Sequence, residues 1–267
     1  QKAGSTGTND LLVVGVFIEE ATDVNTLLSK MGIDGSAPQT EHDAAMSIAG
    51  SMNLGTELGS ALAGSFYHYS GSLTTPPCSE TVKWFVLDRK ITATKAQAAA
   101  FSALQGTADP ANARPVQKRN GRALVKGKLT VAGESTTNFD DCDAYAASSG
   151  RLLSSESQPS WDYMLPQCWA KHYPACGGRV QSPVNILSSG PFQHVGSVDL
   201  SKAATYSDAS DKKIKNTGHG LQVDAQIDGD TSSSDLGYLT VEGSQYNVLQ
   251  FHIHCPSEHN YHRWQGV

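Results

Sequence analysis

The stretch QFHIHCPSEH, Gln250 to His259, decides how this chain is read. If VLQFHIH is a strand its side chains alternate, so His252 and His254 share a face about 6.5–7 Å apart along the strand. Two imidazoles placed like this can converge on one zinc ion through bonds of about 2.0–2.1 Å. Cys255 then points to the opposite face and is not expected to be a ligand. Gln250 shares the histidine face and can fix a ring through its amide, while Glu258 offers a buried carboxylate; metal-binding histidines need partners of both kinds. The alternative for an isolated His-x-His is a pair of surface or hydrogen-bonded core histidines.

Bulk properties narrow the setting. The chain has 267 residues, 39% of them hydrophobic, enough for a sizeable core, and one domain is the default expectation. Its formal charge of -6 comes from sparse charged residues (17%) with no basic block, which argues against nucleic acid and anionic membranes as partners. The longest apolar run, LLVVGVFI from Leu11 to Ile18, falls far short of the about 20 residues of a membrane span and reads as a buried strand. No signal-peptide pattern opens at Gln1, so a leader is expected to have been removed or never present. The five cysteines, Cys78, Cys142, Cys168, Cys176 and Cys255, show no CxxC spacing, and sequence alone leaves their pairing open.

Residues 1–125 hold the apolar strand, helical stretches at Asp23–Met31 and Thr94–Leu104, and a strand within Glu80–Ile91. There Val82, Trp84 and Val86 alternate as on a half-exposed strand. Residues 126–160, rich in Ser, Thr, Ala and Asp, read as a linker. Residues 161–267 carry short strand-like runs separated by Gly, Ser and Asp turns. No repeat of 20 to 50 residues is present, which argues against a solenoid.

Two further constellations carry chemistry. In NTGHGLQV, Asn216–Val223, His219 lies between two glycines, as in an exposed turn where an imidazole can swing and carry a proton near neutral pH. A solvated loop residue is the plain alternative. In YSGSLTTPPCSE, Tyr69–Glu80, two threonines precede two prolines, which stiffen the loop by fixing φ and withholding donors. Such a loop can orient a small polar ligand, or be an ordinary turn.

Together SWDY, QSPVNI, GHG, QFHIH, PSEH, VVGVFIE, YSGSLTTPPCSE, VKWFVL and ARPVQ resemble the α-class carbonic anhydrases, most of all secreted algal and bacterial members. The resemblance covers nearly all of residues 1–125 and 161–267. The order is inverted: the half that runs from SWDY to PSEH comes first in the family and second here. That order implies a circular permutation or, preferably, a slice through a tandem duplication, with 126–160 joining two repeats.

What the resemblance implies is specific. The fold would be mainly β with peripheral helices, a large, twisted, mostly antiparallel sheet of about ten strands with its halves permuted; the two halves could dock as one domain. The reaction would be reversible hydration of carbon dioxide to bicarbonate and a proton by attack of a zinc-bound hydroxide. In this family zinc lowers the pKa of its bound water to about 7, a figure general to carbonic anhydrase and not read from this chain. His252 and His254 would bind Zn2+, Gln250 would hold His252, and His259 matches a structural histidine. Thr74 would accept the hydroxide's hydrogen bond and pass its own proton to Glu258. Thr75 would line the bicarbonate site. Val13, Leu73, Val82 and Trp84 would form the apolar wall for carbon dioxide. His219 would be the proton shuttle, with Tyr163, Thr217 and Gln222 ordering the waters; many relatives have Asn where Thr217 stands. The family's third zinc histidine has no counterpart, and a second repeat or copy is expected to supply its strand, with His262 a poor stand-in. A catalytically silent binding module is the alternative. Cys78–Cys176 would form a disulfide, placing the chain in a secreted, cell-surface or otherwise oxidising setting. Cys142 and Cys168 could form a second bridge, and Cys255 would stay free and buried. Sulfonamides and anions would inhibit.

Overall fold

The computed structural model describes residues 1–7, 9–104, 112–126, 161–186, 204–227 and 233–261. Its strands are β1 (Leu11–Gly15), β2 (Ile18–Ala21), β3 (Met46–Ser47), β4 (Phe66–Gly71), β5 (Val82–Leu87), β6 (Ile91–Thr94), β7 (Val125–Lys126) and β8 (Asn185–Ile186). They continue as β9 (Ala204–Tyr206), β10 (Lys213–Asn216), β11 (Leu221–Asp224), β12 (Gly237–Val241), β13 (Ser244–Asn247), β14 (Gln250–His252) and β15 (Asn260–Tyr261). Three short helices, α1 (Thr26–Lys30), α2 (Leu54–Leu58) and α3 (Lys95–Leu104), complete a mainly β fold, as the sequence implies.

Local chemistry sets the helix ends. The Asn25 side chain accepts from the Leu28 amide at 3.0 Å and caps α1. At α3, Thr94 and Gln97 exchange bonds in both directions, each 3.2 Å, a reciprocal capping box. The Gln97 side chain also binds the Asn25 backbone from both sides, so the two helix starts are locked together. Sequence periodicity places α1 and α3 correctly and misses α2, whose five residues are too few to show a period.

The mainly β, mostly antiparallel fold class holds, and among the described residues its strands fall into five sheets: β1-β5-β4-β7, β14-β11-β10-β3, β13-β12-β9, β15-β8 and β2-β6. Pairing is parallel at β1–β5, β2–β6 and β8–β15 and antiparallel elsewhere. Among the described residues β1 and β14 are edge strands of two different sheets.

The burial of two strands corrects two expectations. Every residue of β1 is only half-buried, where the apolar run predicts a buried strand; among the described residues one of its edges has no neighbour. β5, read as half-exposed, is buried almost throughout. Lying between β1 and β4, it covers both faces: Val82, Trp84 and Val86 pack with Tyr67, Tyr69, Val184 and Ile186, while Phe85 and Leu87 pack with Phe66, Leu239 and Val241.

A third cluster joins Met31, Ile33 and Met52 to Ile214, Leu221 and Val223. Residues before and after 126–160 therefore share core clusters. All but Lys126 of the segment read as a linker lies outside the described residues. The disulfide Cys78–Cys176 is present, with Cα atoms 4.9 Å apart, and Cys255 is free and buried. Cys168 is also disulfide-bonded; Cys142 lies outside the described residues.

Candidate metal and active site

β14 ends at His252, two residues earlier than an extended VLQFHIH would require, yet the two histidines remain together. The ring centroids of His252 and His254 are 4.8 Å apart, with their planes at 75°. Nδ1 of His252 lies 2.8 Å from Gln250 Oε1, and Nδ1 of His254 is bonded to the Asn112 carbonyl. Both acceptors require a proton on Nδ1, which leaves Nε2 of each ring with its lone pair available. Nε2 of His254 is buried and has no hydrogen-bond partner, an orphan of the kind a metal ion satisfies.

This donor chemistry fits zinc, as two members of a ligand set. Among the described residues no group of three or more His, Cys, Asp or Glu side chains is arranged to hold a metal ion. His262 lies outside the described residues.

Glu258 stands beside the pair, its Oε2 3.5 Å from His254 Nε2, and is 7% exposed. Burial pushes its pKa up to about 7, against the opposing pull of the Thr74 hydrogen bond, His252 and Arg114. Burial likewise pushes His254 down to about 4, so its imidazole is neutral at physiological pH. Thr74 is itself buried. Its loop is closed by the Leu73 amide donating to the Ser79 carbonyl at 3.1 Å and the Cys78 amide donating to the Thr75 carbonyl at 2.9 Å. The disulfide at Cys78 anchors that loop to Cys176.

The other predicted residues fall into two groups. Val82 and Trp84 on β5 form one apolar cluster with Val13 of β1 and Leu73, and the Trp84 indole donates to the Ser72 carbonyl at 3.0 Å. His259 is buried; its ring lies 4.7 Å from that of Trp84 and its Nε2 2.7 Å from the Tyr69 phenol. His219 is not the exposed, swinging side chain that its flanking glycines suggest. It is half-buried and stacks on Trp161, with centroids 3.8 Å apart and planes 12° apart. Tyr163 meets it edge-on at 6.2 Å. Burial lowers the His219 pKa, opposed by the carboxylates of Glu41 and Asp162. Thr217 shapes the turn by donating to the Gly220 carbonyl (3.0 Å) and accepting from the His219 amide (3.3 Å). Gln222 faces His252 across the β11–β14 register, but its amide is engaged by Asp224 at 2.6 Å. Thr75 is half-buried.

Residue-by-residue reading missed Asn112, Arg114 and the stacking role of Trp161. Arg114 is 3% exposed, and its guanidinium donates to Gln181 Oε1, the Ser182 carbonyl and the Cys176 carbonyl. Arg114 lies in the ARPVQ motif of the family resemblance, but ANARPVQ, Ala111–Gln117, has no metal-ligand spacing that would mark it or Asn112 as part of the site.

Comparison with known proteins converges on one family. The family model described as eukaryotic-type carbonic anhydrase matches residues 1–128 and 164–264. A carbonic anhydrase of Pectobacterium carotovorum is 48% identical over 60 residues, 22% of this chain and 23% of that protein. A carbonic anhydrase of Dunaliella salina is 30% identical over 207 residues, 73% of this chain and 30% of that protein. Among solved structures, the α-carbonic anhydrase of Thermovibrio ammonificans in complex with the inhibitor sulfanilamide is 31% identical. It covers 42% of this chain and 46% of that chain, with a TM-score of 0.36. The chain thus spans under a third of the length of these two curated relatives. The family match takes in well over half of the chain, which therefore belongs to the eukaryotic-type carbonic anhydrase family.

Proposed function

We propose that this chain supplies the reaction centre for reversible hydration of carbon dioxide, with zinc held by His252 and His254 and a third donor from outside the described residues. The observation that carries this reading is the convergence of two Nδ1-anchored imidazoles on a shared site with Glu258 beside them. When bound there, zinc supplies the Lewis acidity that activates water near neutral pH.

The chain's own residues have distinct tasks. Gln250 and the Asn112 carbonyl hold the two rings in the metal-binding tautomer. Glu258 accepts the Thr74 hydroxyl proton in a hydrogen bond, so Thr74 Oγ1 is left to accept from the reacting oxygen and orient it. Val13, Leu73, Val82 and Trp84 offer carbon dioxide a surface suited to a molecule without a dipole, and Thr75 lines the product side. His219 moves the released proton outward, with Tyr163 and Thr217 beside it and Gln222 on the neighbouring strand. The motif order supports reading residues 1–125 and 161–267 as permuted halves, with the strand that bears the third donor in an adjoining repeat or copy. The Cys78–Cys176 disulfide supports an oxidising location.

Elemental mass spectrometry of the dialysed chain tests this. A zinc-to-protein ratio of about one, with sulfanilamide-sensitive hydration of carbon dioxide, is the expected result. A ratio of about zero in excess zinc would leave the chain as a silent binding module or as half of a divided site; adding a chain that carries the adjoining repeat separates these two.

A further inference from the structure

Asn112 touches three parts of the site at once. Its backbone carbonyl takes the Nδ1 proton of His254. Its side chain, on a residue 1% exposed, makes three more bonds: Nδ2 donates to the His219 carbonyl at 3.1 Å and to the Ile253 carbonyl at 2.9 Å, and Oδ1 accepts from the Cys255 amide at 2.7 Å. We propose that the side-chain amide of Asn112 is a positioning residue, clamping the turn that carries His219 to the segment that carries His254 and so setting where the shuttle ring stands. The name "shuttle" rests on the proposed function; the clamp itself does not.

The chemistry is specific to an amide on a short stem. Two donors and one acceptor are all used, each on a backbone group. Aspartate would keep the acceptor for Cys255 but set an oxygen against two carbonyls. The opposing turn is built to admit the amide: a Cβ on Gly220 would lie 2.7 Å from Asn112 Nδ2, and Gly220 has φ +152°. The internal bonds of the turn, from Thr217 and from the Gly218 amide to Asn216 Oδ1, give it shape without tying it to residues 253–255. The β11–β14 ladder joins the strand that leaves the turn to His252, and the amide of Asn112 adds a tie at the turn itself. The stack on Trp161 holds the imidazole across its face, while the clamp holds the His219 backbone at its carbonyl.

The test uses the metal-free chain. Asn112→Asp is compared with the parent by hydrogen–deuterium exchange across Gly218–Gly220 and by the pH dependence of Trp161 fluorescence, isolated as the difference from a Trp161→Phe background. Protonated His219 quenches a stacked indole, so the fluorescence reads both contact and ionisation. The expected result is exchange about tenfold faster in the turn, with the pH-dependent quenching lost or its midpoint moved toward that of a free imidazole. Unchanged exchange and an unchanged fluorescence titration would overturn the proposal, even with a lowered melting temperature, since Asn112 would then be a strut. If Asn112→Asp does not fold, Asn112→Ser carries the same two readouts. Neither depends on zinc or turnover, so a silent chain tests the clamp as well as an active one.

Discussion

The Tyr69 phenol lies between two buried partners, 2.7 Å from Nε2 of His259 and 2.9 Å from Ser182 Oγ, to which it donates. Nε2 of His259 must therefore carry the proton that bonds the phenol, and the ring is neutral; burial pushes its pKa down to about 3. The unfolded chain takes up this proton near pH 6.5, the folded chain only near pH 3. The contribution to stability is thus complete above pH 6.5 and is lost as pH falls from there, by up to about 1.4 kcal/mol per pH unit. Denaturant midpoints measured from pH 7 to 4 are expected to fall, and His259→Gln to flatten the slope; parallel curves for the two proteins would contradict the assignment.

Gln250 reaches the proposed zinc site only through His252, whose Nδ1 lies 2.8 Å from its Oε1. Gln250→Ala removes the acceptor that holds Nδ1, and zinc affinity is expected to fall about 10- to 100-fold with the fold intact. Competition with a chromophoric chelator measures this in whatever assembly binds the ion. His254→Ala, run alongside, is expected to abolish binding.

Gly71 cannot be enlarged cheaply. A Cβ there would lie 2.1 Å from Ser182 Oγ, 2.8 Å from the Tyr69 ring and 2.9 Å from that of Trp84. Ser182 Oγ has no freedom to retreat, because the Tyr69 phenol and the Ser72 amide both bond it. Gly71→Ala is expected to cost about 1–3 kcal/mol in urea unfolding. A midpoint equal to the parent's would show that the serine rotates away without loss.

The Cys78–Cys176 bond spans 98 residues of sequence and ties the threonine loop to the segment ahead of Gln181. Replacing both cysteines by serine is expected to lower stability by about 2–5 kcal/mol. Calorimetry of the oxidised protein against the double variant measures the loss. Because Thr74 sits in the braced loop, exchange of the amides at Thr74 and Thr75 should rise as well.

Much of this protein is legible in the linear chain where function rests on neighbours in sequence. Gln250, His252 and His254 alternate, so any extended backbone places the amide and the two imidazoles together; Glu258 follows within a few residues. The family was equally plain from VVGVFIE, QSPVNI and YSGSLTTPPCSE, short motifs whose meaning does not depend on their order. Local pattern also located α1 and α3, because capping is local.

Tertiary structure decided everything that depends on what lies on the other side of an element. Alternation in VKWFVL reports only one face, so it could not show that Leu239 and Val241 of β12 pack on the other and help bury Phe85 and Leu87 as deeply as Trp84. The apolar run at Leu11 was equally silent about β1 being an edge strand among the described residues, since hydrophobicity encodes a preference for burial and not the partner that provides it. Two glycines around His219 predicted freedom; Trp161 and Asn112, 58 and 107 residues away in sequence, hold it instead. Contacts of that separation leave no period or spacing in a single chain, because they are made by packing, after the backbone has already turned back on itself.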